Sequence, residues 1–193
     1  MQYAYLDLNF SRMKRLLIVL SFLLLTALPG RGQIVAIQTN AVDLAALGTL
    51  NLQAQISFAQ NFSAYVDGRI NPWRFGPADD PVQMKFRKAS VGVRYWPWYV
   101  YSGWWVAASV QWSSYDRHNI FNTPNVVASH GMGGGLSAGY SFMLHKNLNL
   151  DVGGGVCYTR YRSYVVNNLP DNKGTQSFFE PDFLSVSLVY VFR

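Results

Sequence analysis

The chain has 193 residues, 50% of them hydrophobic and 16% aromatic, and only 13% charged, about half the charged share of an ordinary soluble domain. That length holds one domain, and the single cysteine, Cys157, excludes an intrachain disulfide and a cysteine-based metal site. The formal charge of +6 is concentrated at the N-terminus and leaves no basic run of the kind a nucleic-acid surface needs.

Arg12, Lys14 and Arg15 precede the apolar run Leu16 to Leu28, and Pro29, Gly30, Arg31 and Gly32 follow it. A positive region, a short apolar core and then small residues predict a secretory signal peptide, too short for a comfortable membrane span. Residues 1–32 are therefore expected to be leader and upstream residues, cleaved near Gly32–Gln33, with Met13 a candidate start. Four cations and one acid leave with the leader, which lowers the net charge from +6 to +3.

Residues 33–193 then alternate. A first strand from Ile34 to Ala41 sets Val35 and Ile37 against Gln38 and Asn40, and Asp43 to Thr49 connects it to the next. In the second, Leu52, Ala54, Ile56 and Phe58 oppose Asn51, Gln53, Gln55 and Ser57. Gln60–Asn61 is a tight turn. The third strand, Ser63 to Phe75, sets Val66, Gly68 and Ile70 against Tyr65, Asp67, Arg69 and Asn71, and Gly76 to Met84 is a loop. The fourth returns through Ala89, Val91, Val93 and Tyr95, with Ser90, Gly92 and Arg94 opposite, before a turn at Trp96 to Gly103.

In the fifth strand Trp104, Val106, Ala108, Val110 and Trp112 oppose Ala107, Ser109, Gln111 and Ser113, and a polar connection follows over Asp116 to His130. The sixth carries Leu136, Ala138, Tyr140 and Phe142 on one side, and His145–Lys146–Asn147 turns the chain. In the seventh, Leu148, Leu150, Val152, Val156 and Tyr158 oppose Asn149, Asp151, Gly153, Gly155 and Cys157; a loop spans Asn167 to Thr175. The eighth places Leu184, Val186, Leu188, Tyr190 and Phe192 on one parity. Period-2 alternation marks strands with two different faces, and pairing this apolar last strand with the first removes an exposed edge.

The expected fold is all-β, an eight-stranded antiparallel transmembrane β-barrel of the small outer-membrane type, preceded by a signal peptide. Connections after the even strands are shorter than those after the third, fifth and seventh, which puts both termini in the periplasm and the long loops outside. Tyr190 and Phe192 have the form of the C-terminal signal that barrel insertion machinery reads. Trp96, Trp98, Trp104, Trp112, Tyr190 and Phe192 are the expected aromatic girdle. The expected polar network of the lumen is Gln53, Gln55, Asp67, Arg69, Asn71, Arg94 and Asp151, its opposite charges paired because an unpaired buried charge is costly.

Gln38-Thr39-Asn40, Asp43, Leu50-Asn51-Leu52, Asn71-Pro72-Trp73-Arg74-Phe75 and Arg94-Tyr95-Trp96 together resemble the Bacteroidetes outer-membrane family labelled domain of unknown function 3575. Gln38 stands where that family carries Lys, Val42 where it carries an aromatic, and Pro97-Trp98 where it often has Cys-Glu. The resemblance implies an outer-membrane barrel, in some cases encoded near fimbrial genes, and brings no established activity.

Barrels this small also include lipid A-modifying enzymes, and Ser114, Asp116 and His118 share one parity at the loop end of the fifth strand. Same-face neighbours on a strand are about 7 Å apart, too far for a direct triad, so no catalysis is expected. His130 and His145 fall in a loop and a turn without metal-ligand spacing, and no metal or cofactor is expected. Gly133-Gly134-Gly135 and Gly153-Gly154-Gly155 lack the helix and the Lys-Ser/Thr of a phosphate loop and mark room for bulky neighbours. Glu180 is expected on the outer rim, as are Arg160, Arg162 and Tyr164.

Eight strands leave space for side chains and little else. The expected role is structural or surface-related: envelope integrity, adhesion or fimbria-associated assembly. The alternatives are a narrow polar pore and a lipid A-modifying enzyme. The expected partners are outer-membrane lipids and lipopolysaccharide, the insertion machinery, and fimbrial or surface proteins, with no nucleic acid and the barrel itself a monomer.

Overall fold

The computed structural model describes residues 34–45, 48–75, 82–118, 125–166 and 174–192. The leader, the Asp79–Asp80 pair and the loop from Asn167 to Lys173 lie outside them. The elements are β1 (Val35–Asn40), α1 (Ala41–Ala45), β2 (Leu50–Ala59), β3 (Phe62–Asn71), β4 (Arg74–Phe75), β5 (Val82–Tyr95), β6 (Gly103–His118), β7 (Val126–His145), β8 (Leu148–Val166) and β9 (Gly174–Phe192).

Every pairing is antiparallel, and the sheet closes on itself. β1 lies between β2 and β9, with Val35 opposite Phe192 and Asn40 opposite Ser187. At the other side β3 pairs with β5 from Phe62↔Tyr95 to Asn71↔Phe86. Eight strands therefore form the ring, and β4 is a two-residue rung added to β5 beyond it. Closure satisfies every strand edge, the last strand's included.

The alternation read from the sequence sorts the side chains as expected. Leu52, Val106 and Leu188 do not meet in a centre; they are 58%, 51% and 47% exposed on the outer wall. The inward parity holds Gln53, Gln55, Asp67, Asn71, Arg94, Gln111 and Asp151, all buried.

Three expectations about extent are corrected. β5 begins at Val82, inside the segment expected as a loop. Most of Asp116 to His130 is also strand: β5 and β6 pair out to Gln83↔His118, and β6 and β7 out to Arg117↔Val126. The β9 ladder likewise starts at Gly174, nine residues before the expected strand. These extensions lack a clear alternation because their outward row carries Lys85, Arg87 and Asp116 while Val126 and Ala128 are buried. His130 is accordingly a strand residue, held at φ 54° where the β6–β7 register shifts.

The glycine runs make room for an aromatic. Trp105 turns inward and is 3% exposed, and its ring lies over Gly139 and Gly153. A Cβ built on Gly153 would fall 2.6 Å from that ring and 2.8 Å from the Ala138 carbonyl oxygen, which is backbone and cannot yield. Gly153→Ala is therefore expected to cost about 1–3 kcal/mol through overpacking, read as a lower urea midpoint of the folded barrel. An unchanged midpoint would mean that Trp105 has another place to go.

Candidate functional site: a sealed lumen

The interior is filled in layers. At the end with the short turns it is apolar: Ala36, Trp96, Tyr101, Trp105, Ala107, Val189 and Val191 form one buried cluster. Here the expectation of a polar lumen fails, because β9 carries Val189 and Val191 on its inward parity. The turn after β5 also folds back into the barrel. Tyr101, at φ 62°, is 1% exposed and donates its hydroxyl to the Ile34 carbonyl at 3.1 Å. Burial pushes the Tyr101 phenol above its ordinary range, so the hydroxyl keeps its proton and the bond. Asn149 Nδ2 donates to the Tyr101 carbonyl at 2.6 Å and holds the turn in place.

Trp96 belongs to this cluster and not to the girdle. It is fully buried, because the β5 parity that turns Arg94 inward turns Trp96 inward as well. Its Nε1 donates to Ser63 Oγ at 2.9 Å, which also receives Gln55 Nε2 at 2.5 Å.

Above the apolar layer lies the charge that closes the lumen. Arg94 NH1 donates to Asp151 Oδ2 across the barrel at 2.8 Å, with both side chains about 5% exposed or less. The guanidinium is boxed by aromatic faces, with its Cζ 4.0 Å from the Trp105 ring centre, 5.4 Å from Trp96 and 5.7 Å from Tyr65. An ion pair contributes where geometry and further contacts offset desolvation, and stacking on indole is one such contact. The space left beside it, lined by Gln38, Gln53, Asp67, Arg94, Trp105 and Gln111, is about 50 Å³. That is room for one or two waters. Several orphaned polar atoms face this level, among them Gln38 Oε1, Arg94 Nε, Trp105 Nε1 and Gln111 Oε1, so the chamber is polar and small.

Toward the loop end the network continues in two branches. On the β1–β3 side Arg69 bridges Asp67 at 3.0 Å and Asp43 at 3.3 Å. Asn71 Nδ2 donates to Thr49 Oγ1, Asn51 exchanges bonds with the Asn40 backbone, and Trp73 Nε1 donates to the Gly48 carbonyl. Of the residues quoted for the family resemblance, those from Asn40 to Trp73 thus meet at the loop end, where they brace the connection between β1 and β2, while Arg94, Tyr95 and Trp96 lie toward the turn end.

On the β6–β9 side the organiser is Glu180, which the sequence reading put on the rim. It faces inward and accepts from Tyr161 OH at 2.6 Å and Thr159 Oγ1 at 3.0 Å. Gln111 and Ser113 join through the same two hydroxyls. A hydroxyl row on β8 needs an acceptor, and with Pro181 next to it Glu180 gave no periodic signal to assign its face. Tyr164 is also corrected: after the register shift it packs on Phe178 5.1 Å away, while Arg160 and Arg162 stay exposed. Ser114, Asp116 and His118 follow one another up the outward row of β6, opposite Arg87, Lys85 and Gln83.

Outside, Trp98, Trp104, Trp112, Tyr190 and Phe192 are exposed as the girdle requires. At the turn end lie three sets of ring contacts to which Trp104, Tyr190 and Phe192 contribute, Phe58–Phe62–Tyr95, Trp104–Tyr140–Phe142 and Tyr190–Phe192, with centroids 4.6–6.1 Å apart. Trp104 and Trp112 bracket the band on β6, about 27 Å apart along the strand.

Among known proteins, the model of the family described as "Protein of unknown function (DUF3575)" matches residues 16–192. No curated protein matches the chain. Among solved structures it is similar to the crystal structure of Neisserial surface protein A (NspA), at 16% identity and a TM-score of 0.42, over 83% of this chain and 95% of that one.

Proposed function

This chain belongs to the DUF3575 family of proteins of unknown function, and on that premise we propose that it is a small outer-membrane β-barrel with a structural or surface-display role. The role lies in envelope integrity, adhesion or fimbria-associated assembly, without catalysis. Termini and short turns face the periplasm, and the longer connections face outward.

The observation that carries this reading is an interior largely filled by side chains inside an apolar wall. Val91, Val106, Val110, Leu136 and Val156 are each more than half exposed on a closed ring of strands. A continuous band of this kind far exceeds the few hundred Å² of apolar patch that a soluble monomer tolerates, and it has the pattern of a lipid-facing barrel. The Arg94–Asp151 bridge with its aromatic box leaves about 50 Å³ of free space, which favours a plug over a pore. Ser114, Asp116 and His118 follow one another on one face of β6, about 7 Å per step and too far apart for a direct triad, which favours display over chemistry.

In planar bilayers the purified barrel is expected to give no ohmic steps, while migrating differently in gels before and after boiling, as a folded barrel does. Steady single-channel conductance would replace this reading with the pore.

A further inference from the structure

Outward rows on β3, β5 and β6 change character at one level. Below it stand Val66, Val91 and Val110, all exposed. At the boundary Ala89 pairs with Trp112. One step further toward the loops Arg87 lies between Ile70 on β3 and Ser114 on β6, and one step beyond that Lys85 pairs with Asp116. These residues line a groove of about 470 Å³, in which Ile70 and Trp112 are apolar and Lys85 and Arg87 are cationic. Neither cation makes a hydrogen bond or ion pair to a described residue.

We propose that this groove on the outer face of β3, β5 and β6 binds the phosphorylated headgroup of a lipid in the leaflet on the loop side. The proposal rests on the membrane reading above and names the partner of that surface. Arg87 offers a planar fork that matches two phosphate oxygens, and Lys85 adds a point charge one step above it. Ile70 and Trp112 sit where the acyl chain leaves the headgroup, the level at which tryptophan settles in membranes. Free phosphate shares the headgroup chemistry but gains nothing from the apolar floor. Asp116, opposite Lys85, subtracts from the attraction and so selects for ligands whose charge sits toward Arg87. Arg160 and Arg162, exposed on β8, are the internal comparison for a general cationic effect.

The test is native mass spectrometry of the barrel released from nanodiscs containing diphosphorylated lipid A or its dephosphorylated counterpart. The expected result is retention of the phosphorylated lipid only. In Lys85→Ala/Arg87→Ala retention falls about tenfold, the loss that a forked charge-assisted contact represents. Asp116→Asn is expected to raise retention, Arg160→Ala/Arg162→Ala to leave it as in the parent, and excess inorganic phosphate to leave the lipid bound. Unchanged retention in the Lys85/Arg87 variant, an equal loss in the Arg160/Arg162 variant, equal retention of the dephosphorylated lipid, or displacement by phosphate each overturns the site. Insertion is read separately by floating the protein with vesicles. A parent protein that does not float overturns the membrane reading and the groove together, whereas one that floats without the lipid preference overturns the groove alone.

Discussion

Replacing Asp151 by Asn is expected to lower the unfolding free energy of the folded barrel by about 3–5 kcal/mol, the cost of leaving one member of a buried ion pair alone. Arg94 and Asp151 are each about 5% exposed or less and meet at 2.8 Å. The substitution keeps the shape and removes the charge, so Arg94 retains its aromatic box but loses its counter-ion. The box is present before and after the substitution and cancels from the difference, so the lost counter-ion alone sets the outcome. The measurement is a urea titration in detergent micelles, followed by tryptophan fluorescence. The control is the pair Arg94→Met with Asp151→Leu. Removing both charges takes away their desolvation along with their attraction, so the double variant is expected to recover most of the loss. If Asp151→Asn melts like the parent, the pair is hydrated, the lumen is open at this level, and the plug fails with it.

Leu136→Arg is the second large effect. Leu136 pairs with Ala108, midway between Trp104 and Trp112 on the outer wall, and is 67% exposed. On a protein bathed in water this substitution would change almost nothing, since surface changes away from special features stay within about 0.5 kcal/mol. On a lipid-facing wall an arginine at mid-depth costs about 2–4 kcal/mol. The two environments therefore predict different results for the same residue. The same substitution at Trp98, in the turn and beyond the band, is expected to cost far less. Equal, small effects at both positions would show that the wall does not meet acyl chains.

The sequence exposed much of this because a barrel wall is a two-faced object. Each strand that crosses the apolar band must alternate, so Leu52 with Gln53, or Val106 with Ala107, declares its face without any neighbour being known. Closure was legible for a related reason: the apolar last strand, ending in Tyr190 and Phe192, had no good edge to be. The inward set Gln53, Gln55, Asp67, Arg69, Asn71, Arg94 and Asp151 followed from parity alone.

Parity does not say what a lumen side chain meets. Arg94 and Asp151 are 57 residues apart and find each other only once the ring has closed, so no local pattern could pair them. Trp96 was assigned to the girdle because aromatics in turns commonly sit there. Its own strand turned it inward, and the cavity needed its volume. Glu180 and Tyr164 were put on the rim from their neighbours and their place near a strand end, and register shifts in β8–β9 left no parity to say which face they take. The ladder extensions were missed because Lys85, Arg87 and Asp116 on the outward row interrupt the hydropathy alternation that marks the rest of the wall.

The sequence by itself therefore determined that this chain makes a closed wall, which residues face each side within the apolar band and that its charged interior must pair, since these follow from a period repeated wherever a strand crosses that band. Only the tertiary structure decided what fills the interior, because Trp96, Tyr101 and Trp105 pack around Arg94 from separate positions in the ring, and the curvature that brings them together is a property of the closed sheet and of no single segment.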